Sequence, residues 1–234
     1  MRRRKSGLKR MEQLYFDGVS MAKETTEGKC EFCSQSFDGA SMGKHIKKCK
    51  DSPYRTAKKD GSGIFLIKIF SPERPYYWMF IEIDSSATFK QLDKFLRKIW
   101  LECCGHLSRF ILNHREMSFR NMNVPLNSVI SSNVQLDYEY DFGSTTYLKL
   151  KILGTIEGSI ENVNIISRNE PPQWNCYKCG KPATSVCAIC QLQERSVFCE
   201  KCLPNHKCSD KEWSTDLALP IVNSPRTGEC GYTG

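Results

Sequence analysis

No stretch of the 234-residue sequence approaches the roughly 18 consecutive apolar residues that a membrane helix needs. The first residues, Met1-Arg2-Arg3-Arg4-Lys5, are basic, but the apolar segment of a secretory signal does not follow them. A membrane role and export are therefore not expected, and the chain is read as cytoplasmic. That reading bears on the thirteen cysteines. In a reducing compartment such a count points to metal ligation rather than to disulfides. Acidic residues are scarce relative to basic ones in one place only. Residues 1–60 carry 15 Lys+Arg against 8 Asp+Glu, a balance of +7, whereas residues 61–234 carry 19 against 18, a balance of +1. Electrostatic attraction to phosphates, if there is any, is expected in the first quarter of the chain. The alternative for that quarter is a solubilising tail.

What the sequence has in abundance is cysteine in pairs. Cys176, Cys179, Cys187, Cys190, Cys199, Cys202, His206 and Cys208 fall within 33 residues, as three CxxC pairs and one His-x-Cys pair. A CxxC turn aims two sulfurs at one point, where thiolates bind zinc at about 2.3 Å. Four pairs make two complete tetrahedra. The spacing is similar to a cross-brace, and that resemblance implies that Cys176, Cys179, Cys199 and Cys202 share one ion, and Cys187, Cys190, His206 and Cys208 the other. A sequential arrangement, with the first two pairs on one ion, is the alternative. Cys230 is an alternative to Cys208. A site with four protein ligands is closed to water and substrate, so it is structural rather than catalytic. Three CxxC pairs with a matched histidine also argue against a thioredoxin-like redox role. The spacing resembles a type-one B-box and, more distantly, RING and MYND modules.

A smaller cluster precedes it. Cys30-Glu-Phe-Cys33, eleven residues, His45, three residues and Cys49 resemble a CCHC variant of the two-Cys, two-His finger. His45 and Cys49 are four apart, so a helix puts both on one face, and Phe37 is placed to fill the small core. Lys44, Lys47, Lys48 and Lys50 surround the ligand helix and suit phosphate contact. The helix start, Asp38-Gly-Ala-Ser-Met-Gly43, lacks the Arg, Asn or Gln that read bases. Contact with a nucleic-acid backbone is therefore expected over sequence readout, and protein contact is equally open. Upstream, residues 1–10 are expected to be a mobile basic arm, and Leu8, Met11, Leu14 and Tyr15 recur at helical spacing.

Between the clusters lies an α+β pattern. Gly63–Phe70 and Tyr76–Ile83 read as buried strands, with Pro72 and Pro75 in the turn. Thr88-Phe-Lys-Gln91 is a capping box. It opens a long helix whose Leu92, Phe95, Leu96, Ile99, Trp100 and Cys103 form an apolar stripe for core packing. His106–Leu112 and a short strand near Met117–Phe119 form a hairpin across Asn113–Glu116. Val134–Phe142 and Thr145–Leu153 alternate with period two. The fold class is therefore α+β: a largely antiparallel sheet with one long packed helix, flanked by two small zinc-binding modules. The expected divisions are 1–29 basic arm, 30–50 finger, 51–62 linker, 63–167 central domain and 168–234 two-zinc module with tail.

The strand order, the helix ending in Gly105-His106-Leu107 with Phe110, and Tyr140-Asp141-Phe142-Gly143 resemble the plasmid open-reading-frame-three-like family, a transposon-passenger, TnpR-like domain. The resemblance covers about residues 63–160. Arg168-Asn-Glu-Pro-Pro172 and the tail from Asn223 resemble members with an added zinc-binding C-terminus. The family implies a fold rather than an activity. Members continue Tyr-Asp-Phe-Gly with Asp, then Trp and His, where this chain has Ser144, Thr145, Thr146, Tyr147 and Leu148. If that polar cluster is a site in other members, it is depleted here, and no serine- or tyrosine-recombinase constellation can be assigned.

The sequence thus reads as a non-enzymatic, zinc-binding interaction protein with three Zn²⁺ per chain and no catalytic residues. Its expected partner is a protein, with nucleic acid reached through residues 1–60. The alternative is an enzyme acting on nucleic acid through His106, Asp141 and nearby polar groups. His106 and His114 otherwise read as cap or surface residues, and Asp141 as a turn residue.

Overall fold

The computed structural model describes residues 25–58, 63–113, 115–118, 121–130, 134–190 and 196–234. The basic arm, its expected helix and His114 lie outside them. The described chain forms two units. One runs up to Pro172 and takes in Val222–Arg226 from the tail. The other comprises Gln173–Ile221 and Thr227–Thr233.

The larger unit begins with a short hairpin of β1 (Glu27–Lys29) and β2 (Ser36–Asp38), then a one-turn helix α1 (Met42–Ile46). A seven-stranded antiparallel sheet follows. Its strands are β3 (Ile64–Phe70), β4 (Trp78–Asp84), β5 (Ser108–Leu112), β6 (Arg115–Ser118), β7 (Gln135–Tyr140), β8 (Thr146–Ile156) and β9 (Asn164–Arg168). Their order across the sheet is β6-β5-β7-β8-β3-β4-β9. Helix α2 (Phe89–Leu96) continues through a π turn at Arg97–Leu101. The capping box is present: the Thr88 side chain accepts from the Gln91 amide, and the Gln91 side chain accepts from the Thr88 amide.

Two differences from the sequence pattern have plain causes. The π turn adds a residue to one turn and ends the helix at Leu101, so the buried set is Phe89, Leu92, Leu96, Trp100 and Leu101, and Cys103 lies beyond the helix. The β5–β6 turn is tighter than the four residues expected, because Leu112 pairs with Arg115 and Asn113 takes a left-handed φ of 48°. One edge strand, β9, has no counterpart in the expected pattern.

Pairing register assigns the faces. Ile67 and Ile69 of β3 lie beside Ile152 and Leu150 of β8, and Leu150 and Leu148 beside Leu136 and Tyr138 of β7. Helix α2 covers this face: Phe89 meets Phe110 at 5.2 Å between centroids, and the Tyr138 hydroxyl donates to Asp93 at 2.7 Å. The opposite face is divided. On β5, β7 and β8 it carries a polar ladder, with Arg109 pairing Glu139 and Glu116, and Lys149 pairing Asp137. On β3, β4 and β9 the same face is apolar, because the finger packs there. Cys30, Met42, Ile46, Cys49 and Tyr54 share one core with Leu66, Trp78, Phe80 and Ile166. This division explains why β3 and β4 read as nearly continuous apolar runs while β7 and β8 alternate.

The finger and residues 51–58 are therefore parts of this unit rather than beads on a linker. Pro53–Thr56 form a 3-10 turn capped by Ser52 that buries Tyr54. Glycine makes the close docking possible. A Cβ at Gly28 would lie 2.1 Å from the Arg168 carbonyl, and one at Gly39 would lie 2.7 Å from the Trp78 ring. The Glu31 amide donates to the Ile166 carbonyl at 2.9 Å, and Lys68 reaches the Gly39 carbonyl at 2.6 Å.

The smaller unit holds a three-stranded antiparallel sheet, β11-β10-β12, from β10 (Ser185–Cys187), β11 (Val197–Phe198) and β12 (Ala218–Pro220). Its buried cluster is Cys176, Cys187, Cys190 and Phe198. Three of those four are candidate ligands, and the other buried apolar side chains described in the unit are Trp174, Val186, Val197 and Tyr232, a small core for packing alone.

Candidate metal centres

The three groups of four side chains expected from the sequence converge, with their ligand atoms all within 4.8 Å of one another. They are Cys30, Cys33, His45 and Cys49; Cys176, Cys179, Cys199 and Cys202; and Cys187, Cys190, His206 and Cys208. The second and third groups interleave in the chain, the first pair with the third and the second with the fourth. That is the cross-braced arrangement, not the sequential one. Cys208 occupies the last corner, with its sulfur 3.8 Å from Cys187 and 3.6 Å from Cys190. Cys230 is not in that group.

Local structure places each donor. The β1–β2 hairpin returns the Cys30 knuckle toward α1, which carries His45, and Cys49 follows just beyond the helix, its amide donating to the His45 carbonyl at 2.7 Å. The His45 Nε2 lies 3.2 Å from the Cys33 sulfur, and its ring stacks on Phe37 at 4.0 Å. In the smaller unit, β10 carries Cys187 into the core, and β11 leads directly into Cys199. Phe198 packs on His206 at 4.4 Å and Trp213 meets the same ring edge-on at 4.8 Å, so the imidazole is fixed from two sides.

The groups suit a metal ion. All thirteen cysteines are unbridged. Two sulfurs on a tetrahedral zinc at about 2.3 Å each stand about 3.8 Å apart, and Cys179 and Cys199 are separated by 3.7 Å. Burial and neighbouring thiols push Cys30 up to about 11 and Cys187 up to about 12, and the Cys179 thiol with burial pushes Cys202 up to about 12. Crowded thiols of this kind ionise together when a cation replaces their protons. Cys176 differs. Burial raises it, but amide N–H groups of Cys199, Cys179 and Lys178 outweigh that and bring it down to about 6. The His206 Nε2 is buried with no hydrogen-bond partner among the described residues, an orphan of the sort that ligation satisfies.

A fourth constellation was not read from the sequence as a unit. Beyond α2, Cys104 places its sulfur 2.9 Å from His106 Nε2 and 3.6 Å from the Cys103 sulfur. His106 Nε2 is also 3.5 Å from the Asp141 carboxylate. Asp141 has a left-handed φ of 64° and is held by its own turn, accepting from the Gly143 amide at 3.0 Å. Its other oxygen pairs with Arg226 at 2.5 Å. The Arg226 side chain is wholly buried and also donates to the Ser144 carbonyl and to Thr146, at 3.0 Å each. Burial raises the Asp141 carboxyl, but Arg226 and the turn amides outweigh it and hold it below the usual carboxylate range. Cys103 was expected in the core stripe, and Arg226 only as part of the tail that carries the resemblance. The Cys-Cys-Gly-His spacing was the signal for the first. An ion pair 85 residues apart leaves no signal for the second.

Comparison with known proteins adds little. No family model matches the chain, and no curated protein matches it. Among solved structures, a protein of unknown function, MM3350 from Methanosarcina mazei Go1, matches at 18% identity with a TM-score of 0.33, over 48% of this chain and 67% of that one. Among the described residues no helix is long and apolar enough to cross a membrane.

Proposed function

We propose that this is a zinc-stabilised interaction protein with a protein partner, in which Zn²⁺ occupies the three four-ligand groups and the central domain belongs with the plasmid open-reading-frame-three-like family. Thiolate and imidazole donors in closed sets of four favour zinc in a structural role. The observation that carries the reading is the surface of the cross-braced unit. Tyr177, Ile189 and Leu217 stand 43%, 40% and 49% exposed on a small unit whose ligand cluster includes only one other fully buried apolar side chain, Phe198. Large apolar groups left exposed on so small a unit support a protein-facing surface. Unbridged thiols support a reducing, cytoplasmic setting.

A second function is attraction to nucleic acid by the N-terminal quarter. Lys44, Lys47, Lys48 and Lys50 are all exposed around α1, while Met42 and Ile46 are buried against the sheet. A helix pinned in this way offers charge to phosphates but no free face to a groove.

The test is capture of partners with the full chain after nuclease treatment. Retained protein partners, lost on a Tyr177→Ser, Ile189→Ser, Leu217→Ser variant, support the protein-facing reading. Capture that vanishes with nuclease overturns it in favour of nucleic acid. Deleting residues 1–60 is not a sound probe of the basic quarter, because Cys30 to Tyr54 belong to the sheet's core. Charge reversal at the four lysines is.

The enzyme alternative draws on one observation, the meeting of His106 and Asp141 at 3.5 Å. Asp141 is already committed to Arg226, which leaves it a weak base. Turnover of DNA or RNA that is abolished by His106→Ala would favour it.

A further inference from the structure

We propose that Cys103, Cys104 and His106 form a further metal site, of transition-metal type and best suited to zinc, in addition to the three closed groups. The three donor atoms lie within 4.8 Å of one another. Two thiolates and an imidazole are the donor set that zinc takes in preference to the oxygen-seeking cations. The sulfur-to-sulfur distance of 3.6 Å is close to the edge of a zinc–thiolate tetrahedron, about 3.8 Å. The three supply three corners, and one more donor completes the tetrahedron.

The loop is built to hold this geometry. Gly105 takes a φ of 78°, with nothing within 4 Å of where a Cβ would stand. Glycine is there for the left-handed turn, not for space, and that turn brings His106 back over Cys104. Glu102 closes the turn by accepting from the Gly105 amide at 2.6 Å. Arg97 grips both ends, donating to Glu102 at 2.8 Å and to the His106 carbonyl at 2.6 Å. Arg97 is itself anchored on α2 by Asp93 at 2.8 Å. The His106 ring stands edge-on to Tyr140 at 5.8 Å. Three donors on a five-residue loop are thus fixed by a packed helix, a turn glycine and an aromatic wall, which is the support a metal site needs from its surroundings. Cys104 is exposed and Cys103 and His106 are half-exposed, so the donors are accessible to an ion from solution.

Native mass spectrometry of the full chain, purified with zinc, counts the ions and reads folding from the charge-state envelope. The Cys103→Ser, Cys104→Ser, His106→Ala variant is expected to carry one zinc fewer than the parent, with a compact envelope. Should the triple variant unfold, Cys104→Ser alone, at an exposed side chain, is expected to lose the same single ion. Equal zinc counts in the parent and in whichever variant is folded overturn the proposal. The result is distinguishable from failure of the three closed groups. Those are read separately by Cys33→Ser, Cys179→Ser and Cys190→Ser, and the difference made by changes at residues 103–106 holds whatever the other three contribute.

Discussion

The finger and the cross-braced unit both gather cysteines, yet they bury them in different company. Around the finger's ligands Cys30 and Cys49 lie Leu66, Trp78, Phe80 and Ile166 of the sheet. Around the ligands of the cross-braced unit the fully buried cluster adds only Phe198. The same donor chemistry therefore carries different shares of the folding free energy. With zinc in the finger group as proposed, metal and apolar burial would act together there. With zinc in the cross-braced groups, the ions would carry more of the folding than the small apolar cluster does. A motif's spacing reveals where ions bind. What each ion is responsible for depends on what packs around it.

The comparison can be broken most forcefully by removing zinc with a strong chelator under reducing conditions. Structural zinc in small domains supplies folding free energy on the order of 10 kcal/mol. Hydrogen exchange is expected to lose all protection across Cys176–Cys208, while β7 and β8, which pack against α2 without any ligand, keep theirs. Protection surviving in Cys176–Cys208 after complete zinc loss would show that Val186, Val197 and Phe198 suffice as a core without the ions.

A step down in size is the buried ion pair that ties the tail to the sheet. Arg226→Met leaves Asp141 buried without its partner, and about 3–5 kcal/mol of stability is expected to go. Asp141→Asn is expected to cost less, since the amide still accepts from Arg226. Chemical denaturation with a tryptophan fluorescence readout measures both. A near-neutral Arg226→Met would mean that the tail is not part of this unit's core.

The finger's docking is probed by Gly39→Ala, which sets a methyl 2.7 Å from the Trp78 ring. Overpacking of this kind costs about 1–3 kcal/mol, and the same denaturation experiment should show it. Were the finger an independent bead, the substitution would be silent. The smallest effect expected is that of Thr88→Ala, which removes the helix cap at a cost of about 1 kcal/mol. It calibrates what an ordinary local contact is worth in this unit.

The parts of the fold written in local pattern were legible. Alternation in β7 and β8, the capping box at Thr88 and the paired cysteines each follow from residues a few positions apart. The continuous apolar runs of β3 and β4 were legible as buried strands, but not the reason for them. The cover on their second face comes from residues 30–54, and nothing near Trp78 announces it. Strand β9 was illegible because Asn164, Ser167 and Arg168 dilute Ile165 and Ile166 into a segment without clear periodicity. Helical spacing made Cys103 legible as one more apolar position, and the Cys-Cys-Gly-His spacing was the weaker signal beside it. The π turn at Arg97–Leu101, which no propensity rule anticipates, is what ends the helix and frees Cys103 to join Cys104 and His106.

The most direct measurement is hydrogen exchange on two single variants of the zinc-loaded chain, His45→Ala in the finger and Cys190→Ser in the cross-braced unit. Loss of the finger's metal is expected to raise exchange in α1 and also in β4 and β9, whose apolar face it covers. Loss of Cys190 is expected to open Cys176–Cys208 as one block. If His45→Ala loosens the finger alone and leaves β4 and β9 protected, the finger does not share the sheet's core, and the contrast between the two metal-bearing regions is wrong.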